Sequence, residues 1–132
     1  MMFKAKKRGA DTIEMFSDSP PWWMNSNLSS AGGDTGRANL TPENDVRFAV
    51  YLASVAQYAA NNWGVVFSSV EPFNEPSSGW WDYPCRQEGC HIPAKQQQDI
   101  IQDLRRELDR RGLDTVPIAA SDENTYDLSL RT

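Results

Sequence analysis

The chain predicts an α/β fold built on parallel strands, and three observations carry the prediction. Glycine separates a helix-like end from a β-prone run in "KKRGADTI" (6–13), "NNWGVVFSSV" (61–70) and "RRGLDTVPI" (110–118). Segments with helical periodicity lie between these junctions. The turns after the helices are short, whereas the connections after the strands are long. Strands that alternate with helices imply right-handed crossovers and parallel pairing.

Taken in order, the elements support this reading. The opening run "KAKKRG" (4–9) is basic and ends in glycine, the signature of a helix C-terminus. It could also be read as a targeting or nucleic-acid patch, but the net charge of −5 gives no support to a phosphate-backbone binder. A first strand follows Gly9, and then the long connection "DSPPWWMNSNLSSAGGDTGRANL" (18–40). Thr41 suits an N-cap, with Pro42 at the first helical position and Glu43 in the first turn. The run Val46 to Ala60 carries apolar residues at 46, 49, 50, 53 and 56, a broad face for packing on a sheet. Gly64 ends that helix and a second strand follows it. Next comes "PSSGWWDYPCRQEGCHIPAK" (76–95). A second helix, about Gln96 to Arg111, places Ile100, Ile101, Leu104 and Leu108 on one stripe. Its other face is charged, with Glu107 and Arg111 at pairing distance, and reads as solvated. Gly112 then leads into a third strand.

Composition sets the outer limits. With 132 residues, 39% hydrophobic, the chain has material for one core, and residues 1–132 are expected to form part of one domain. No stretch reaches the ~18 apolar residues of a membrane span, and the N-terminus lacks the apolar region of a secretory signal. Two cysteines do not make a disulfide framework, although Cys85 and Cys90 are close enough in sequence to bridge. With His91 they form C-x4-C-H, which fits neither haem attachment nor a four-ligand zinc site, so no metal or cofactor is expected. Asn27 and Asn39 begin glycosylation sequons, which chance alone would supply in this chain.

The chemistry concentrates in the two long connections. Four of the five tryptophans, Trp22, Trp23, Trp80 and Trp81, lie there. Long loops at the carboxyl ends of parallel strands are where α/β folds build sites. Flat aromatic faces in a cleft suit the C–H faces of sugar rings, against the plainer alternative of buried packing. Glu75 stands where a strand should end, between Asn74 and Pro76. A carboxyl group partly desolvated by aromatics there suits general-acid work. Glycoside hydrolysis needs a second carboxylate roughly 5–9.5 Å away. Glu71 is a poor partner, because four extended residues separate the two by about 13 Å. It reads instead as a buried or hydrogen-bonded strand residue. Asp122 and Glu123, after the third strand, are better placed, either as that second carboxylate or as groups that position substrate or Glu75.

The order "FSDSPPWWM", "VEPFNEPSSGWW", "QEGCH" and "PIAASDENTYD" closely resembles glycoside hydrolase family 30, and its endo-β-1,6-galactanase-like members most. The resemblance covers nearly the whole chain. It implies a retaining (β/α)8 TIM barrel, with residues 1–132 holding strands three to five and the intervening helices. It further implies Glu75 as acid/base catalyst, Asn74 on the neighbouring sugar hydroxyl, and the segment Ser19 to Met24 as a subsite wall. The family's nucleophile, a glutamate closing strand seven, falls outside this chain. A complete barrel takes ~250 residues, so the remaining strands are expected partners for a closed fold. The implied partner is a β-1,6-galactan-type polysaccharide, with no nucleic acid and no membrane. The implied location of a full-length parent is extracellular, and the fragment alone is expected to be inactive. The alternatives are a noncatalytic carbohydrate binder or a family member acting on another β-linked glycan.

Overall fold

The computed structural model describes residues 2–34, 37–120 and 122–130. Among the described residues the helices and strands follow in the order α1 (Met2–Lys7), β1 (Glu14–Phe16), α2 (Asp45–Trp63), β2 (Ser69–Glu71), α3 (Ala94–Arg110) and α4 (Tyr126–Ser129). Short 3-10 turns at Trp22–Met24 and Pro42–Asn44 interrupt the first long connection. The strands pair in parallel, with Glu14 opposite Ser69 and Phe16 opposite Glu71, as strand–helix alternation predicts. The fold is α/β.

The expected third strand is reduced to one parallel bridge, Val70 to Ile118. Val70 donates to the Pro117 carbonyl and Ala119 donates to that of Val70, both at 3.0 Å. Two prolines explain why the ladder stops there. Pro117 has no N–H to give the Ser68 carbonyl, and Pro72 has none to give Ala119.

All three junction glycines adopt positive φ: 95° at Gly9, 61° at Gly64 and 70° at Gly112. This left-handed turn is the helix-ending conformation that glycine adopts without a Cβ clash. At Gly64 the backbone N–H donates to the Ala59 carbonyl, while the Lys6 ammonium caps the Gly64 carbonyl at 2.6 Å. The basic end of α1 therefore braces the end of α2.

The core lies between the helices and one side of the sheet. Phe48, Ala49, Leu52, Ala53, Ala56 and Ala59 of α2 are buried against Ile100, Leu104 and Leu108 of α3 and Val70 of β2. Alanines on the α2 stripe let the two helices approach closely. Val46 departs from the expected stripe: it is 54% exposed, because the buried face turns through Phe48 and Leu52 instead. Helix α3 departs too, since its charged side is not simply solvated. Glu107 is buried and takes the guanidinium groups of both Arg110 and Arg111. Arg111 contributes most to holding that carboxyl below its usual range. Arg105 donates to the carbonyls of Val116 at 2.7 Å and Leu113 at 3.0 Å, which fixes the turn into the third strand segment.

Alternation along the strands sends Met15 and Val70 toward the helices and Glu14, Phe16, Ser69 and Glu71 to the other side. On that second side Phe16 is 44% exposed.

Candidate active site

Three stretches build the candidate site: the loop after β1, the loop after β2 and the segment after the third strand. Glu75 lies four residues past the end of β2, with φ of +44°, a left-handed value rare for a residue with a side chain. Its peptide is held from both sides. The Glu75 N–H donates to the Asp122 carbonyl at 2.7 Å. Its carbonyl accepts the indole N–H of Trp81 at 2.9 Å and the Ser78 N–H at 3.0 Å. Two residues on, Ser77 donates its N–H to the Glu123 carboxylate at 3.1 Å.

Asp122 and Glu123 are thus brought to the turn around Glu75, as the sequence anticipates, and both meet its backbone. The Glu123 carboxylate serves a peptide N–H, which favours the positioning alternative over the second-carboxylate one. Asp122 reaches Glu71 by charge. Burial first, then Asp122 and Glu14, push the Glu71 carboxyl up to about 7 from an ordinary 4.5. A side-chain hydrogen bond between Glu71 and Glu14 acts in the same direction. The expectation that Glu71 is a hydrogen-bonded strand residue agrees with this placement.

The aromatic residues divide among cavities. Glu75 lines a cavity of about 340 Å³ with Trp80, Trp81, Cys85, Arg86 and Gln87. Trp22 and Trp23 line another of about 340 Å³, with Ser19, Pro20, Tyr51 and Glu88. Ser19 donates its hydroxyl to the Glu88 carboxylate at 2.9 Å, joining the two long loops at that cavity's rim. Asp122, Glu123 and Tyr126 line a third, of about 420 Å³. Trp22, Trp23 and Trp80 are each about half exposed and have ring surface to offer a ligand. Trp81 is 0% exposed. The expected sugar-stacking role does not fit Trp81, because its indole is spent on packing and on the Glu75 carbonyl. Asn74 is half-buried beside Glu75.

Cys85 and Cys90 are free thiols, and burial raises the pKa of Cys90. Among the described residues no group of three or more His, Cys, Asp or Glu is placed to hold a metal ion, and no helix is long and apolar enough to cross a membrane. Asn39 is 1% exposed and donates to Asn27 Oδ1 at 2.9 Å, so its sequon is locked into the first loop. Ser121 of the motif "PIAASDENTYD" lies outside the described residues.

The profile of O-Glycosyl hydrolase family 30 matches residues 1–130. The chain belongs to glycoside hydrolase family 30. An endo-beta-1,6-galactanase of Hypocrea rufa is 47% identical over 132 residues, covering 100% of this chain and 27% of that protein. An exo-beta-1,6-galactobiohydrolase of Bifidobacterium longum subsp. longum is 34% identical over 73 residues, which are 54% of this chain and 5% of that protein. A conserved exported protein from Bacteroides fragilis has the same fold, with a TM-score of 0.82 at 23% identity over 92% of this chain and 24% of its own. The family 30 chain spans 27% of the galactanase and 5% of the galactobiohydrolase.

Family 30 membership agrees with the motif resemblance. Reading the motifs alone did not single out Tyr51, Arg86 and Glu88 as cavity residues. Tyr51 sits on the outer face of α2 and meets Trp23 edge to face at 6.5 Å, a contact between distant segments that leaves no local signal. Glu14 was legible in principle: once β1 and β2 are paired in parallel, Glu14 and Glu71 fall on the same side of the sheet.

Proposed function

We propose that this chain carries the acid/base half of a retaining endo-β-1,6-galactanase, with Glu75 as the catalytic residue. The observation that carries the reading is the seating of Glu75, its backbone held on both sides beside a cavity that it lines with Trp80. The 47% identity to an endo-beta-1,6-galactanase over the whole chain supports the substrate class. In this reading β1, β2 and the third strand segment are strands three to five of a (β/α)8 barrel. The side with Phe16 and Glu71 then faces the barrel interior, where further strands would cover it.

Glu75 protonates the glycosidic oxygen as the bond to the anomeric carbon breaks. The glutamate supplied by strand seven forms the glycosyl-enzyme bond. Glu75, now a carboxylate, takes the proton from the water that hydrolyses it. Asn74 holds the hydroxyl beside the reacting carbon, while Trp22, Trp23 and Trp80 stack on neighbouring sugars. The polymer substrate places the work outside the cell, which fits the exported structural relative.

The test is hydrolysis of β-1,6-galactan, β-1,6-glucan and xylan by the natural full-length product. Release of short oligosaccharides from galactan alone, and a loss of about 10³-fold in kcat for Glu75→Gln, are expected. Galactan binding without turnover, unchanged by Glu75→Gln, would show a noncatalytic binder instead. Preference for another glycan would keep the mechanism and change the substrate.

A further inference from the structure

We infer that Trp81 is a positioning residue, whose indole N–H holds the left-handed backbone of Glu75 and so aims its carboxyl at the leaving oxygen. The inference rests on the acid/base reading of Glu75 and adds to it a residue that acts through the Glu75 backbone.

The backbone geometry comes first. Among the described residues, Glu75 and Leu28 are the only non-glycine positions with positive φ. A side chain in that region relaxes toward negative φ unless its surroundings prevent it, and strained positions of this kind cluster at functional sites. At Glu75, relaxation would swing the Cα–Cβ bond and redirect the carboxyl. The Asp122 carbonyl fixes the N–H side of the residue, and Trp81 and Ser78 fix its carbonyl. Of these three, only Trp81 acts through a side chain, so its contribution can be removed without altering the backbone.

The indole cannot drift, because the first long loop closes around it. Gly33 donates its N–H to the Trp81 carbonyl at 2.9 Å, and Gly32 donates to that of Gly89 at 3.0 Å. Gly89 lies against the ring itself: a Cβ there would meet Trp81 Cε3 and Cζ3 at 2.3 Å. A Cβ on Gly32 would meet the Trp81 carbonyl oxygen at 2.8 Å. Backbone therefore packs on Trp81 where side chains could not, and the ring has one seat. A buried indole N–H needs an acceptor in any case, and here the acceptor is the backbone carbonyl of the candidate acid/base residue. Through Trp81 the loop after β1 reaches the acid/base residue without entering the cavity.

The experiment compares leaving groups, in the natural full-length product. The dinitrophenolate of a dinitrophenyl β-galactoside departs without a proton, whereas the leaving sugar of a β-1,6-galactooligosaccharide needs one from Glu75. Position 81 is changed to Phe and, separately, to benzothienylalanine, which keeps the bicyclic shape and replaces the N–H with sulfur. Both changes should lower kcat/KM about 10- to 100-fold on the oligosaccharide and less than about 3-fold on the dinitrophenyl substrate. A purely structural role would lower both substrates equally, and equal losses, or no loss with benzothienylalanine, overturn the inference. Glu75→Gln, run in the same assays, separates the two failures. If it discriminates between leaving groups and the position-81 variants do not, only the role of Trp81 falls. If Glu75→Gln leaves oligosaccharide hydrolysis intact, or the unaltered product turns over neither substrate, the acid/base reading falls and takes this inference with it.

Discussion

The carboxylate of Glu123 accepts the backbone N–H of Ser77 at 3.1 Å, across 46 residues of sequence. It ties the segment after the third strand to the turn that carries Glu75. A hydrogen bond from a neutral donor to a charged acceptor is stronger than a neutral pair.

This relationship gives the first prediction, which separates a positioning carboxylate from a second catalytic one. Glu123→Gln keeps an acceptor oxygen and should cost less than about 3-fold in kcat/KM. Glu123→Ala removes the acceptor and should cost about 10-fold, corresponding to ~1.4 kcal/mol of lost positioning. A catalytic carboxylate would behave otherwise, with Gln as damaging as Ala at 100-fold or more. Steady-state kinetics on galactan with both variants reads the difference directly.

The Glu14–Glu71 pair predicts a pH effect on stability. Glu71 holds its proton up to about pH 7 in the folded chain, against about 4.5 ordinarily. Below about pH 4.5 both folded and unfolded states are protonated, and the pair costs nothing. Between 4.5 and 7 the unfolded state loses its proton first, so the folded state binds more protons and stability falls as pH rises. Glu71 is only partly buried, so the full linkage value is discounted for solvent screening to about 1 kcal/mol. Glu71→Gln should therefore leave Tm unchanged near pH 4 and raise it by about 2 °C near pH 8. Thermal unfolding of the natural full-length product at the two pH values tests this. An equal gain at both would mean that the carboxyl does not hold its proton.

The junction glycines, the two long helices and the parallel pairing were legible because each leaves a local mark: a glycine after a basic run, a 3.6-residue period, a short turn. The place of Glu75 in the turn after β2 was legible from its Pro-flanked motif. The third strand was overread, since prolines at 72 and 117 cut its ladder and their effect appears only once the register is known. Burial was harder. Val46 looks like core on a helical wheel and is exposed, while Glu107 looks solvated and is buried between two arginines. The two Trp-Trp doublets show the same limit. They are alike in sequence, and only the closure of one loop on another, through Gly32 and Gly89, sends Trp81 inside.

That division of the doublets yields the last prediction. Trp23 is 54% exposed and meets Trp22 at 5.7 Å and Tyr51 at 6.5 Å, each nearly perpendicular. The rings therefore hold one another upright while leaving faces free. Removing one such face strips stacking area from a bound sugar without touching the reacting carbon, so the loss appears in binding. Trp23→Ala should raise KM on galactan about 10-fold, or ~1–2 kcal/mol, with kcat within about 2-fold of the parent. Trp80→Ala, beside Glu75, should shift KM in the same direction. Neither should lower Tm by more than about 2 °C, because little apolar surface is uncovered. Kinetics and thermal melts on the same two variants settle the matter. A fall in kcat at constant KM would mean that the ring acts on the transition state alone, and a large fall in Tm would mean that these tryptophans are core.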